Sequence, residues 1–569
     1  MSYTNRMSAV RLLRALILGW VLITGTAAAQ LFQASDGGAS FESGRGGAAP
    51  MPGGYYSVGH SQPVGGMADV YMVHTNLAGG VIGGWTYNFG GQDFGHDIQR
   101  CGNGDFVITG VTNAAGNNDM FIMRVAPGGG LIWARRIGTP NDDVGVDVLQ
   151  AGNGDIVAAG WGNGIGGNRE GLIVRLTGAG ALVFSTLYAP AAAPNLDDYF
   201  HGLWQAGNGD LLACGGTNSF GNAYQGWVVR TTPAGVPAWS NHIGGANSNE
   251  EFNSITQLTI GAQAGNIVTV GSTTGVPGDP LDFYVVKLNP AGGLIAPDIT
   301  GGTQLNSEAM FQVRENLVVN AGNIILAGRM APGPLGMEDG YVVEMTPVWA
   351  CPVGKAWSMA YGGAGNDRLY SANEVPNNCF PGFYMCGRTS SPALVPAGDP
   401  QQHYLIKTDN AGMSGCNEVA PADRCTQPNF PIAAAPLVWP AGPGIVIVNP
   451  PVANMNAGGV LCMTPCPPPP PKTNFSDRGN LMQALDAVFP NPVAAGRTFQ
   501  LPYLLTESGD ASIIVTDITG RTVYTGTRHA DAGSGNFTLS TEGWASGIYA
   551  IRVDLGGETM MQRVVVMDK

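Results

Sequence analysis

Carboxylates at regular intervals are the residues of this chain best placed to do chemistry. Asp93, Asp143, Asp198, Glu251, Glu308 and Asp367 each follow a glycine-rich turn and precede a short apolar run. Asp69, Asp119, Glu170, Asp282 and Asp339 make a second set, each at the head of another such run. Carboxylate oxygens suit a hard cation such as calcium, and a cleft lined by one sign of charge focuses field. The simpler reading takes precedence: each acid caps its turn by accepting local backbone N–H bonds. No segment has the ligand order of an EF-hand, so calcium at these acids is the one cofactor left open, and otherwise none is expected.

Catalysis finds less support. His96 and His201 hold equivalent places beside Asp93 and Asp198 with no third partner, which suits local hydrogen bonding better than a metal. The chain has no Gly-x-Ser-x-Gly, no His-Glu-x-x-His and no phosphate loop. Trp85, Trp133, Trp239 and Trp357 fall at the ends of runs, where packing between repeats is a simpler use than a sugar-stacking row. A non-enzymatic role is expected. A polysaccharide hydrolase or lyase with acids near a central channel is one alternative, and a purely structural surface component is another.

A repeat positions these residues. Ala151-Gly152-Asn153-Gly154-Asp155 opens an apolar run and recurs at 101–105 and 206–210, with shorter forms at 264–267 and 321–324. A period of about 50–60 residues belongs to propellers and arrays. Alternation, β-branched residues and Gly/Pro punctuation predict strands, for instance 105–112, 119–125, 131–137 and 144–150. Seven such quartets are expected within 30–420, with the first acid set ahead of each fourth strand. The seventh quartet lacks its fourth strand, and 39–45 is the expected closing strand. The predicted fold is all-β, a seven-bladed β-propeller (six or eight blades stay open) followed by a small C-terminal β-sandwich. Closing the ring hides strand edges. Both acid sets should then rim one mouth, and variable loops on that face, such as 162–169 and 389–402, are where a ligand is expected.

Composition agrees. With 86 Gly and only 12% charged residues, the chain suits short strands and tight turns. A net charge of −14 argues against a nucleic-acid partner, which would need a basic stripe. Residues 1–29 read as a signal peptide: Arg6, Arg11 and Arg14, an apolar stretch, then Ala27-Ala28-Ala29. Disulfides are therefore permitted, and the nine cysteines leave at least one unpaired. Cys351 with Cys416, Cys416 with Cys425 and Cys462 with Cys466 are the open pairings, while Cys214 and Cys386 read as buried thiols. Residues 421–484 read as an irregular Cys/Pro-rich linker that includes the proline run 467–471, an extended spacer. Residues 485–569 predict a small sandwich-like domain.

This last segment carries Phe489-Pro490-Asn491-Pro492, then Asp517-Ile518-Thr519-Gly520-Arg521, then Gly547-Ile548-Tyr549, then Gln562-Arg563-Val564-Val565-Val566. In these motifs and their order it resembles the C-terminal (type A) sorting domain of type IX secretion cargo in Bacteroidetes-type bacteria. Pro490, Asn491, Pro492, Asp517, Gly520, Gly547 and Tyr549 carry the match. The resemblance implies a route through the periplasm to an outer-membrane translocon. It also implies cleavage by a sortase-like protease, and release or tethering at the cell surface. Residues 38–420 resemble the propeller repeats of bacterial surface proteins, which implies a fold but no ligand. The expectation is a secreted or surface-anchored binding or adhesion protein whose extracellular ligand, glycan or protein, is not named by its residues.

Overall fold

The glycine turns and apolar runs fold into seven sheets of one plan. The computed structural model describes residues 31–464, 482–485, 488 and 490–567, apart from short stretches within those ranges, and no α-helix occurs among the described residues. The expected signal peptide, the proline run and Gly520 lie outside the described residues. The second sheet shows the plan: Asp93–Arg100, Phe106–Thr112, Asp119–Val125 and Leu131–Gly138 pair antiparallel in that order. The repeated Asn-Gly-Asp turn joins the first two strands of the second, third and fourth sheets. Its Gly104, Gly154 and Gly209 sit at φ of +94°, +91° and +91°, where a side chain would be strained.

The sequence reading finds the strands but places them one strand out of phase. Asp93–Arg100 leads the second sheet and bonds to Phe106–Thr112, rather than completing the first sheet beside Val81–Tyr87. The turns on either side of 93–100 are both short and glycine-rich, so local sequence does not say which is the hairpin. The same shift moves the expected closing strand. Ser40–Met51 leads the first sheet, and Leu31–Asp36 pairs with Gln402–Lys407 in the seventh.

A larger departure lies at 418–464, inside the expected linker. Seven short strands there add a fifth strand to every sheet. Glu418–Val419 joins the sixth, Arg424–Thr426 the fifth, Ile432–Ala434 the fourth and Leu437–Val438 the third. Gly444–Val448 joins the second, Val452–Asn454 the first and Gly458–Thr464 the seventh. The segment thus visits the sheets in reverse order and returns to its start. There Cys416 and Cys462 form a disulfide with Cα atoms 6.4 Å apart, in place of the pairings open from sequence. Buried Gln33 fastens the same spot, donating to Ser414 Oγ at 2.8 Å and to the Cys416 carbonyl. Cys425 is also disulfide-bonded, while Cys101, Cys214 and Cys386 are buried thiols.

The core is divided among the sheet interfaces. One apolar cluster unites Tyr56, Val58 and Met72 of the first sheet with Phe106, Ile108 and Phe121 of the second. Five more join each later pair of neighbours. A seventh joins Tyr384, Cys386 and Leu405 of the seventh sheet to Tyr55, Tyr71 and Val73 of the first. The C-terminal domain is separate in its packing. One sheet of three strands and one of five enclose Phe499, Leu501, Ile513, Phe537, Ile551 and Val564.

Candidate functional site

Register places both acid sets in one row. Asp93 lies across from Thr112, and Thr112 lies across from Asp119. The row's leading members in the seven sheets are Glu42, Asp93, Asp143, Asp198, Glu250, Glu308 and Asp367, and all are 0% exposed. Two of these correct the sequence reading. Glu42 heads the first sheet and went unnoticed because its repeat is the least regular. In the fifth sheet the row residue is Glu250, which pairs with Thr273. Glu251 is one residue on and therefore faces the other way; it accepts the Tyr199 hydroxyl at 2.9 Å.

The row braces the loops that enter the leading strands. Asp93 accepts the Phe89 N–H at 2.7 Å, Glu308 that of Thr303 at 2.9 Å and Asp367 that of Gly363 at 2.8 Å. Asp143 and Glu250 take the N–H groups of Thr139 and Gly245 in the same way. Burial pushes Asp93, Glu250 and Asp367 upward, Asp143 to about 6 and Asp198 to about 7. Among the described residues no three His, Cys, Asp or Glu side chains gather in a group that could hold a metal ion. The acids sit inside the sheets and not on an open rim.

Three residues beyond each row acid, every leading strand carries a β-bulge. The residues left without a cross-strand partner are Arg45, His96, Val146, His201, Asn253, Phe311 and Tyr370. A bulge re-aims one side chain out of the ladder. All seven line a single cavity of about 400 Å³. The sequence signal was available, since the interval from acid to bulge residue is constant, but it shows only once the phase of the sheets is known. A second cavity of about 560 Å³ shares His201, Asn253, Phe311 and Arg368 with the first and adds Arg169, Tyr199, Tyr224 and Glu251.

In the second, third and sixth sheets the residue after the bulge ties its sheet to another. Asp97 accepts the Val148 N–H at 3.2 Å, Asp147 that of Leu203 at 2.7 Å and Gln312 Oε1 that of Ala372 at 2.7 Å. The Asp97 and Asp147 carboxyls also hydrogen-bond to each other, and burial raises both. The two sequence-noted histidines are in the cavity. His96 Nδ1 lies 2.7 Å from the Gly145 carbonyl, and burial holds its pKa near 4. His201 Nδ1 lies 3.0 Å from Asn253 Oδ1.

In the C-terminal domain the motif residues hold the sandwich. Asn491 takes the Val565 N–H at 2.8 Å and donates to the Arg563 carbonyl at 3.2 Å. Asp517 binds the Arg521 backbone and guanidinium at 3.1 and 3.0 Å. Tyr549 is buried against Trp544, ring centroids 4.9 Å apart, and donates to the Ala545 carbonyl. Pro490 and Pro492 flank Asn491, and Gly547 opens the strand Gly547–Leu555.

Residues 487–567 match the family described as "Secretion system C-terminal sorting domain". The sequence has no match among curated proteins. Among solved structures, Sqt1 from Chaetomium thermophilum aligns at 8% identity and a TM-score of 0.35 over 67% of this chain and 99% of its own. A fungal AA5-family alcohol oxidase in complex with copper aligns at 12% identity and 0.36, over 92% and 96%. A family 43 arabinoxylan arabinofuranohydrolase from Bacillus subtilis aligns at 13% identity and 0.26, over 74% and 93%. Scores this low carry no argument about activity. The C-terminal match does carry one: residues 487–567 are a type IX secretion sorting domain, which directs export across the outer membrane to the cell surface or the extracellular space.

Proposed function

We propose that this chain is an exported binding protein: a seven-bladed propeller whose central cavity receives an extracellular ligand. The observation that carries the reading is the convergence of all seven bulge residues on one cavity. Closure of the ring is supported by the apolar cluster between the seventh and first sheets, and by the Asn373 side chain, which donates to the Gly47 carbonyl. Residues 1–29 act as the signal peptide. The outer-membrane translocon and a sortase-like protease are the partners in export. The buried acid row, with its bonds to backbone N–H groups of the entering loops, supports turn capping over calcium binding.

Two measurements test this. Deleting 487–567 should trap the remaining chain in the periplasm, and secretion that continues unchanged refutes the export route. The exported protein should bind a glycan or protein from its surroundings, and Tyr370→Ala should weaken that binding at least tenfold. Release of reducing ends from a polysaccharide would replace the binding reading with an enzymatic one.

A further inference from the structure

Charge around the cavity is lopsided in a way that folding alone does not explain. Arg368 and Arg388 stand directly opposite each other on neighbouring strands of the seventh sheet. Like charges in that relation are destabilising. Arg45 reaches the same place from the first sheet and stacks over the Tyr370 ring, 4.7 Å from its centroid. Glu338 binds Arg368 at 2.7 Å, but it also binds Arg329 at 3.0 Å. The Nε atoms of Arg45 and Arg388 are buried and have no hydrogen-bond partner. Burial, together with Arg368 and Arg45, depresses the Arg388 pKa. Arg314, also in the cavity, is engaged elsewhere: its charge steadies the Asp97–Asp147 pair.

Aromatic surface adjoins this cationic group. Phe311 and Tyr370 line the cavity with ring centroids 5.1 Å apart and planes 31° apart. Guanidinium forks match carboxylate and sulfate oxygens two at a time. Aromatic faces offer apolar support to a ring carried beside such a group, and the cavity volume falls in the range of small-ligand sites. We propose that the cavity binds an acidic sugar, with its carboxylate or sulfate between Arg45 and Arg368, which line it, and its ring against Phe311 and Tyr370. This rests on the reading of the cavity as the binding site.

Calorimetry on the protein as it is exported tests it with four probes: trigalacturonic acid, its methyl ester, a sulfated galactose trisaccharide and inorganic sulfate. The acid or the sulfated sugar should bind at least tenfold more tightly than the ester and than sulfate alone; which of the two leads identifies the anion. Arg45→Gln and Arg368→Gln should each weaken that binding about tenfold, and Arg45→Lys should weaken it less, with unchanged melting temperatures showing that the fold survives. Equal affinity for acid and ester, or no binding of any probe, overturns the acidic-sugar proposal. If binding is charge-blind yet lost in Tyr370→Ala, the cavity remains the binding site and only the anion inference fails. If no cavity variant changes binding, both readings fall.

Discussion

Asp198 shows what it costs to place a carboxyl in the buried row. Burial, joined by the charges of Glu170 and Asp197, outweighs the Thr217 and Ser219 hydrogen bonds and raises its pKa to about 7 from 3.8. A carboxyl raised on folding favours the folded state below the unfolded pKa, and that advantage is lost as pH rises through the folded value. Asp143 and Asp339, raised to about 6, act in the same direction. The contribution of these three carboxyls to stability should therefore fall between pH 5 and pH 8. Asp198→Asn, which keeps an acceptor for Ser219, should raise stability at pH 8 by about 1–2 kcal/mol and at pH 5 by less. Melts of the two proteins across that range decide it; parallel pH curves would mean the carboxyl is ionised at no cost.

The Asn-Gly-Asp turn, the loudest signal in the sequence, acts as an anchor between elements. Asp155 holds the Arg175 Nε at 2.9 Å, and Arg175 donates onward to the Pro233 carbonyl in the next sheet. Asp105 with Arg124 and Asp210 with Arg230 repeat the device, reaching the carbonyls of Gly178 and Pro290. Trp133 and Trp239 donate across two of the same gaps and Trp357 across the gap between the sixth and seventh sheets, at 3.2 Å each, so the indoles serve contacts between sheets. Asp155→Ala leaves a mostly buried guanidinium half-paired and should cost about 2 kcal/mol. Pairing it with Arg175→Met should recover part of that loss in a double-mutant cycle of thermal stability. Strands were legible because alternation and turn residues are local. Their grouping was not, because the loop at 88–92 and the turn at 101–105 look alike yet one crosses between sheets. The fifth strands were hidden for a related reason: runs of two to seven residues broken by proline and glycine carry no period. The bulge residues could be aligned only after the sheets were in phase.

At the scale of the whole molecule, 418–464 is a belt and Cys416–Cys462 its buckle. The bond spans 46 residues, and by chain entropy alone a loop of that length contributes about 4 kcal/mol. Cys416→Ser should lower the melting temperature of the oxidised protein markedly, and reductant should then have far less effect on the variant than on the parent. Equal responses to reductant would locate the stabilisation in another disulfide. The belt also covers a row of backbone groups along every sheet that would otherwise invite pairing with other chains.

A chain is made from its N-terminus, yet here the outer strand of all seven sheets is written after the other four. Until residue 418 has been synthesised, no sheet can reach its full width and seven adhesive margins stay open at once; the sheets are then completed one after another, the last of them at residue 464. Assembly therefore has a late, shared final step. A truncation early in 418–464 should not produce a slightly shorter protein but one with several unfinished sheets, prone to stick to its own copies before it ever meets the export machinery.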